Sequence, residues 1–113
     1  YQKKYKRDKM VYTDLGYHGK TFGTMSVSGP FSRPYRDLFK TLDGCIQIPF
    51  GNIKAFKKLT EKRNDIALII LEAIKADLAL APPTEYLNEI YNICRKNGII
   101  MIIDAVFTGF GRT

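Results

Sequence analysis

The chain reads as a parallel α/β fold. Two uninterrupted apolar runs, residues 66–71 and 99–103, each stop at an acid, Glu72 and Asp104. Between and before them lie segments with apolar residues at helical spacing, and the links are short. Apolar runs of strand length without alternation suit strands buried on both faces. Strands separated by single helices join in parallel, with right-handed crossovers.

The elements follow in order. Met10, Val11, Tyr12 and Thr13 form a short strand leading into the turn at Gly16, Tyr17, His18 and Gly19. Residues 20–27 fit more than one pattern. Residues 29–34 hold two prolines and a glycine and are expected to be a loop. Cys45 to Ile48 is a second short strand. Asn52 caps a helix that runs to about Arg63, with Ile53, Phe56, Leu59 and Ala55 on its apolar face. Residues 66–71 make the third strand. Pro82, Pro83 and Thr84 open the next helix, whose Leu87, Ile90, Tyr91 and Cys94 recur at helical spacing, and Gly98 stops it. The last strand ends at Asp104. Its five apolar residues, four of them isoleucine, predict burial on both faces.

Composition bounds the function. With 113 residues, 45% hydrophobic and 12% aromatic, the chain suits one small domain or part of a larger one, and it can build a core. No apolar run approaches the roughly 18 residues that span a bilayer, so no membrane role is expected. Nothing at the start resembles a signal peptide. Cys45 and Cys94 stand far apart with no metal-ligand spacing, which suits reduced thiols in the cytoplasm. A net charge of +7 raises nucleic-acid binding, and Lys3, Lys4, Lys6, Arg7 and Lys9 do cluster around Tyr5. Yet Lys54, Lys57, Lys58 and Lys62 are spaced as a solvated helix face. The early cluster likewise reads as the end of a surface helix.

An acid at the carboxyl end of a buried strand stands where open α/β sheets bind ligands. Asp104 there can keep a cofactor's ring nitrogen protonated, and the glycines after it allow a tight turn. By itself it equally suits a helix N-cap or turn. Glu72 ends its strand at the same sheet edge, or else faces solvent. His18 is the one histidine, so neither a histidine metal cluster nor a Ser-His-Asp triad is available, and no metal is expected. Tyr17 taken alone is a half-buried tyrosine at a strand end, and Gly19 and Gly109 suit either close backbone approach or plain turns.

Three segments in order carry a family resemblance. Tyr17-His18-Gly19-Lys20-Thr21-Phe22-Gly23 resembles the aromatic-His-Gly-Lys/Arg-Thr signature of class III (ornithine/ω-amino acid) aminotransferases. These are pyridoxal 5'-phosphate (PLP) enzymes of fold type I. Residues 66–104 are similar to that family's strand, Glu, proline pair, Tyr-Leu helix, strand and Asp. Pro49-Phe50-Gly51-Asn52-Ile53 resembles the putrescine and ornithine branches.

The resemblance implies part of the mainly parallel-sheet large domain of a fold type I PLP-dependent transferase, and a short helix within residues 20–27. It implies Asp104 at the cofactor's ring nitrogen, Val106 and Tyr17 on opposite ring faces, His18 and Gly19 lining the pocket, and Glu72 hydrogen-bonded within the site. The implied reaction moves an amino group from an ω-amine or ornithine-like donor to a 2-oxo acid, in a homodimer. The family's phosphate-binding helix start aligns before Tyr1 and its Schiff-base lysine beyond Thr113. Residues 1–113 are therefore expected to be an internal piece of the PLP-binding domain, without a catalytic residue and inactive alone. Such a piece leaves sheet edge and dimer surface open, so poor solubility is expected. The alternatives are an inactive truncated remnant of such an enzyme, or an independent small α/β binding module.

The departures from the pattern are equally specific. After Glu72 the family usually continues Pro, apolar, Gln, Gly, Glu, Gly, Gly, whereas this chain has Ala73-Ile74-Lys75-Ala76-Asp77-Leu78-Ala79 in a segment one residue shorter. Side chains are thus expected where the substrate side of the pocket needs room. Ala105 and Phe107 replace the usual Glu and Gln after Asp104.

Overall fold

The computed structural model describes residues 2–29, 34 and 38–112. Four strands form one parallel sheet in the order β2-β1-β3-β4: β1 is Lys9–Thr13, β2 Cys45–Ile48, β3 Ile66–Glu72 and β4 Ile100–Asp104. The helices are α1 (Gln2–Tyr5), α2 (Phe22–Ser26), α3 (Ile53–Lys62) and α4 (Tyr86–Asn97). All four expected strands and the expected short second helix are present. The loop expected over residues 29–34 lies largely outside the described residues.

One sheet face packs against α3 and α4. Val11, Ile48, Ile69 and Leu71 from the strands meet Phe56 of α3 and Tyr86, Ile90 and Cys94 of α4 in the buried core. The cap on α3 is the expected one, with Asn52 Oδ1 accepting from the Ala55 N–H at 3.1 Å. Gly98 ends α4 in the left-handed conformation (φ 62°). Its cost there is least for a residue without Cβ. Lys54, Lys57, Lys58 and Lys62 are exposed, as expected for a solvated face.

Three expectations are corrected. First, β4 is not buried on both faces: Ile100, Ile102 and Ile103 are about two-fifths exposed. It pairs with β3 on one side only and stands at the edge of the described sheet. The central strand β3, with neighbours on both sides, does bury nearly its whole length. Second, α4 begins at Tyr86, not at the proline pair, because Pro83 instead closes a turn by accepting the Tyr86 N–H at 2.9 Å. Third, Tyr86 and not Tyr91 is the buried tyrosine of α4, while Tyr91 is exposed beneath the Arg95 guanidinium.

The basic start of the chain has a structural use. Arg7 donates to the carbonyls of Asn97 at 2.6 Å and Gly98 at 2.9 Å. A cation there meets the electronegative end of α4 and ties the first turn of chain to the last helix. The other sheet face carries α2 and an apolar hollow of about 280 Å³ lined by Met10, Val27, Leu42, Leu68, Ile70 and Ile102.

Candidate functional site

The site forms at the carboxyl ends of β1, β3 and β4. Parallel register places Glu72 of β3 directly beside Asp104 of β4. The turn after β1 brings Tyr17, His18 and Gly19 against both acids. Tyr17, His18, Gly19, Glu72, Asp104, Val106 and Phe107 line one cavity of about 150 Å³. All six residues read from the sequence as one site therefore converge, although they come from segments up to 89 positions apart.

Asp104 is held from two directions. One oxygen, Oδ2, lies 2.8 Å from His18 Nδ1, and Oδ1 accepts the Val106 N–H at 3.1 Å. A carboxylate only accepts, so the proton of this pair is carried by Nδ1. The His18 side chain is 1% exposed, which removes competing solvent and fixes the ring. Its backbone is fixed as well, since the His18 N–H donates to Ser28 Oγ at 2.9 Å and Ser28 Oγ donates to the Thr24 carbonyl at 2.7 Å. Thr21 in turn caps α2. Gly16 leaves room for this ring, because a Cβ on it would stand 3.0 Å from His18 Nε2.

Glu72 is 6% exposed and faces inward, so the solvent-facing reading does not hold. Its Oε2 accepts the Tyr17 N–H at 3.0 Å and pairs with Lys75 Nζ at 3.2 Å. Burying a carboxylate costs several kcal/mol unless an opposite charge and hydrogen bonds replace water. Lys75, itself 2% exposed, supplies that charge and also pairs with Asp77 at 2.8 Å. The lysine is the site's unforeseen member, and its one sequence signal is its place three residues after Glu72. Ser28 had no such signal.

The remaining assigned positions fall as follows. Val106 is largely exposed at the cavity rim. Gly19 takes φ 111°, a conformation that side chains disfavour. Gly109 closes a turn, its N–H on the Ala105 carbonyl at 2.8 Å. Phe50 and Gly51 act structurally: the Phe50 N–H donates to Asp14 Oδ1 at 2.8 Å and its ring lies 6.1 Å from that of Tyr86.

Comparison with known proteins gives the family. The profile Aminotransferase class-III matches residues 1–113. The chain belongs to the class III aminotransferase family. Aminotransferase PigE of Serratia sp. (strain ATCC 39006) is 36% identical over 106 residues, covering 92% of this chain and 12% of that protein. Acetylornithine aminotransferase of Listeria innocua is 33% identical over 108 residues, covering 95% of this chain and 27% of that protein. The crystal structure of taurine:2-oxoglutarate aminotransferase from Bifidobacterium kashiwanohense, in complex with PLP and glutamate, superposes with a TM-score of 0.84 at 27% identity. That match covers 99% of this chain and 30% of the other.

This class III chain thus spans about a quarter or less of the two curated relatives. Its membership removes the reading as an unrelated α/β module. Ala79 keeps a left-handed backbone (φ 48°) despite its Cβ. The loop that carries it is pinned by two hydrogen bonds between the Lys75 and Leu80 backbones, 2.9 and 3.1 Å.

Proposed function

We propose that residues 1–113 supply the ring-binding half of a PLP site in a class III aminotransferase. The observation that carries the reading is the convergence of Tyr17, His18, Glu72, Asp104 and Val106 on one cavity, with Asp104 oriented by His18 at 2.8 Å. The cavity of about 150 Å³ fits this division of labour. Sites for whole ligands begin near roughly 300 Å³, so this one accommodates an aromatic ring and not a complete phosphorylated cofactor. The phosphate grip and the Schiff-base lysine belong, on this reading, to sequence outside the segment.

PLP when bound supplies an electron sink for amino-group transfer. The chain's own residues orient and hold. Asp104 would accept a charge-assisted hydrogen bond from a protonated ring nitrogen, and its contacts with His18 and the Val106 N–H keep it from turning away. Tyr17 and Val106, which both line the cavity, would bound the two faces of the ring. Gly19 lets the backbone pass close by, and Glu72 secures Tyr17 through the main chain.

The whole enzyme is read as taking an ornithine-like or ω-amine donor, of the putrescine, ornithine or acetylornithine class, with a 2-oxo acid acceptor. The acetylornithine aminotransferase relative supports that donor class. Cys45 and Cys94, read as reduced thiols, support a cytoplasmic setting, and a homodimer is the assembly the family resemblance implies. No described helix is long and apolar enough to cross a membrane.

The test is a PLP titration of the chain followed by visible absorbance, with Asp104→Ala and Asp104→Asn beside it. Saturable binding lost in both variants is expected. Binding indifferent to both would refute the assignment of Asp104. Absence of any saturable binding would favour the inactive remnant, and borohydride trapping on one lysine of this segment would overturn the placement of the Schiff-base lysine.

A further inference from the structure

We propose that Lys75 is a positioning residue that sets the wall of the cavity through Glu72. The inference rests on the PLP reading for its consequence in binding, and on geometry alone for the arrangement itself.

Three features of the chain lead to it. The lysine is fully interior although lysine is among the residues least often buried. It follows Glu72 by three residues, so the loop after β3 returns its charge to that carboxylate. Its backbone is clamped on both sides, N–H and C=O, to Leu80, which fixes where the side chain starts.

From that anchor Nζ lies 3.2 Å from Glu72 Oε2 and 2.8 Å from Asp77 Oδ1. The same Glu72 oxygen takes the Tyr17 N–H at 3.0 Å. One oxygen thus joins an ammonium from the loop after β3 to the backbone of the aromatic residue from the turn after β1. Lys75 does not line the cavity, whereas Glu72 and Tyr17 both do.

The charge balance explains why the link needs a cation. Glu72 sits next to Asp104 in register, with Asp77 on the far side of the lysine. Among the described residues, the basic groups paired with these acids are His18, engaged by Asp104, and Lys75. Without the lysine, Glu72 would be a buried carboxylate beside a second one, and it would swing toward the cavity mouth. Tyr17 would then lose the acceptor on its N–H, and the aromatic wall would lose its register with Asp104.

The test uses two readouts on the chain with Lys75→Met, Lys75→Gln and Lys75→Arg. The first is the Tyr17 amide resonance in a ¹H–¹⁵N spectrum without cofactor. Upfield movement is expected in Lys75→Met and Lys75→Gln, and little movement in Lys75→Arg. The second is PLP affinity, expected to weaken about tenfold in Lys75→Met and to stay within about twofold in Lys75→Arg. In a Glu72→Gln background, Lys75→Met should add less than about twofold, because both act through one contact.

A lysine that merely stabilises the fold would lower the melting temperature in every background and leave Tyr17 unmoved. That result, or additive losses with Glu72→Gln, overturns the proposal. If Lys75→Met loses the dispersion of a folded spectrum, Lys75→Gln carries the same readouts. If the unaltered chain takes up no PLP, the cofactor reading falls, and the Tyr17 resonance still decides the role of Lys75.

Discussion

Two glycine-to-alanine changes six positions apart should act with opposite sign. Gly29 is buried, and a Cβ built on it would lie 1.6 Å from the Asp14 carbonyl oxygen and 2.4 Å from its carbon. Ordinary contact begins at 3.4 Å, so the added methyl meets main chain at less than half that distance. Backbone cannot rotate away as a side chain end can. Relief requires a shift of roughly 2 Å between the two segments. Such a shift strains the Gly29 N–H on Gly16 at 2.7 Å, the Asp14 N–H on Ile48 at 2.9 Å and the Phe50 N–H on Asp14 at 2.8 Å.

Overpacking costs about 1–3 kcal/mol, and each strained hydrogen bond about 1 kcal/mol more. Gly29→Ala should therefore destabilise by about 4–6 kcal/mol, a large part of the 5–15 kcal/mol typical of a domain. It should also displace Tyr17 and His18, which follow Asp14 in the same turn. Gly23 is the internal control. It lies within α2, and a Cβ there meets nothing within 4 Å. Alanine at that place should stabilise by about 0.5–1 kcal/mol through helix propensity and a less free unfolded chain. Urea unfolding at 25 °C, followed by circular dichroism, reads both. Equal shifts of the same sign, or a Gly29→Ala chain as stable as its parent, would refute the steric argument.

Arg7→Ala should cost about 2 kcal/mol, since two charge-assisted bonds to the end of α4 are lost, and Arg7→Lys should recover only part of it. A urea midpoint unchanged by Arg7→Ala would show that the contacts contribute nothing. Ala79→Gly should stabilise by about 1 kcal/mol, because it relieves a left-handed alanine; a lower melting temperature would contradict that conformation. Burial pushes the Cys94 thiol up from 9.0 to about 12. The fold therefore holds the neutral form, while the unfolded chain ionises from pH 9 upward. This contribution is level below pH 9 and falls as pH rises toward 12. Stability should decline less steeply above pH 9 in Cys94→Ala than in the parent, and a disulfide-exchange reagent at pH 8 should reach Cys94 only through unfolding. Rapid labelling of Cys94 in the folded chain would rule this out.

Much of the architecture was legible because it depends on local pattern. The β3 run, the Asn52 cap, the Gly98 stop and the strand ends at Glu72 and Asp104 are statements about neighbouring residues. The mistakes concern neighbours that pattern does not specify. Residues 99–103 are as apolar as β3, yet apolarity does not say whether a strand is central or at an edge, and β4 pairs on one side. Tyr86 and Tyr91 are both compatible with a helical face, and packing against Phe50 selects the first.

The candidate site divides along the same line. Sequence alone determined which residue types stand at the ends of the strands, and the order of three motifs sufficed to place the chain in its family. Parallel register then decided that Glu72 and Asp104 are adjacent, and the turn after β1 decided that His18 Nδ1 faces one acid while the Tyr17 N–H faces the other. Only the tertiary structure turned Lys75 inward and Arg7 onto a helix end. Both were placed by where uncompensated acceptors lie, and for Arg7 those acceptors are the carbonyls of Asn97 and Gly98, some ninety residues away, which no window of sequence contains.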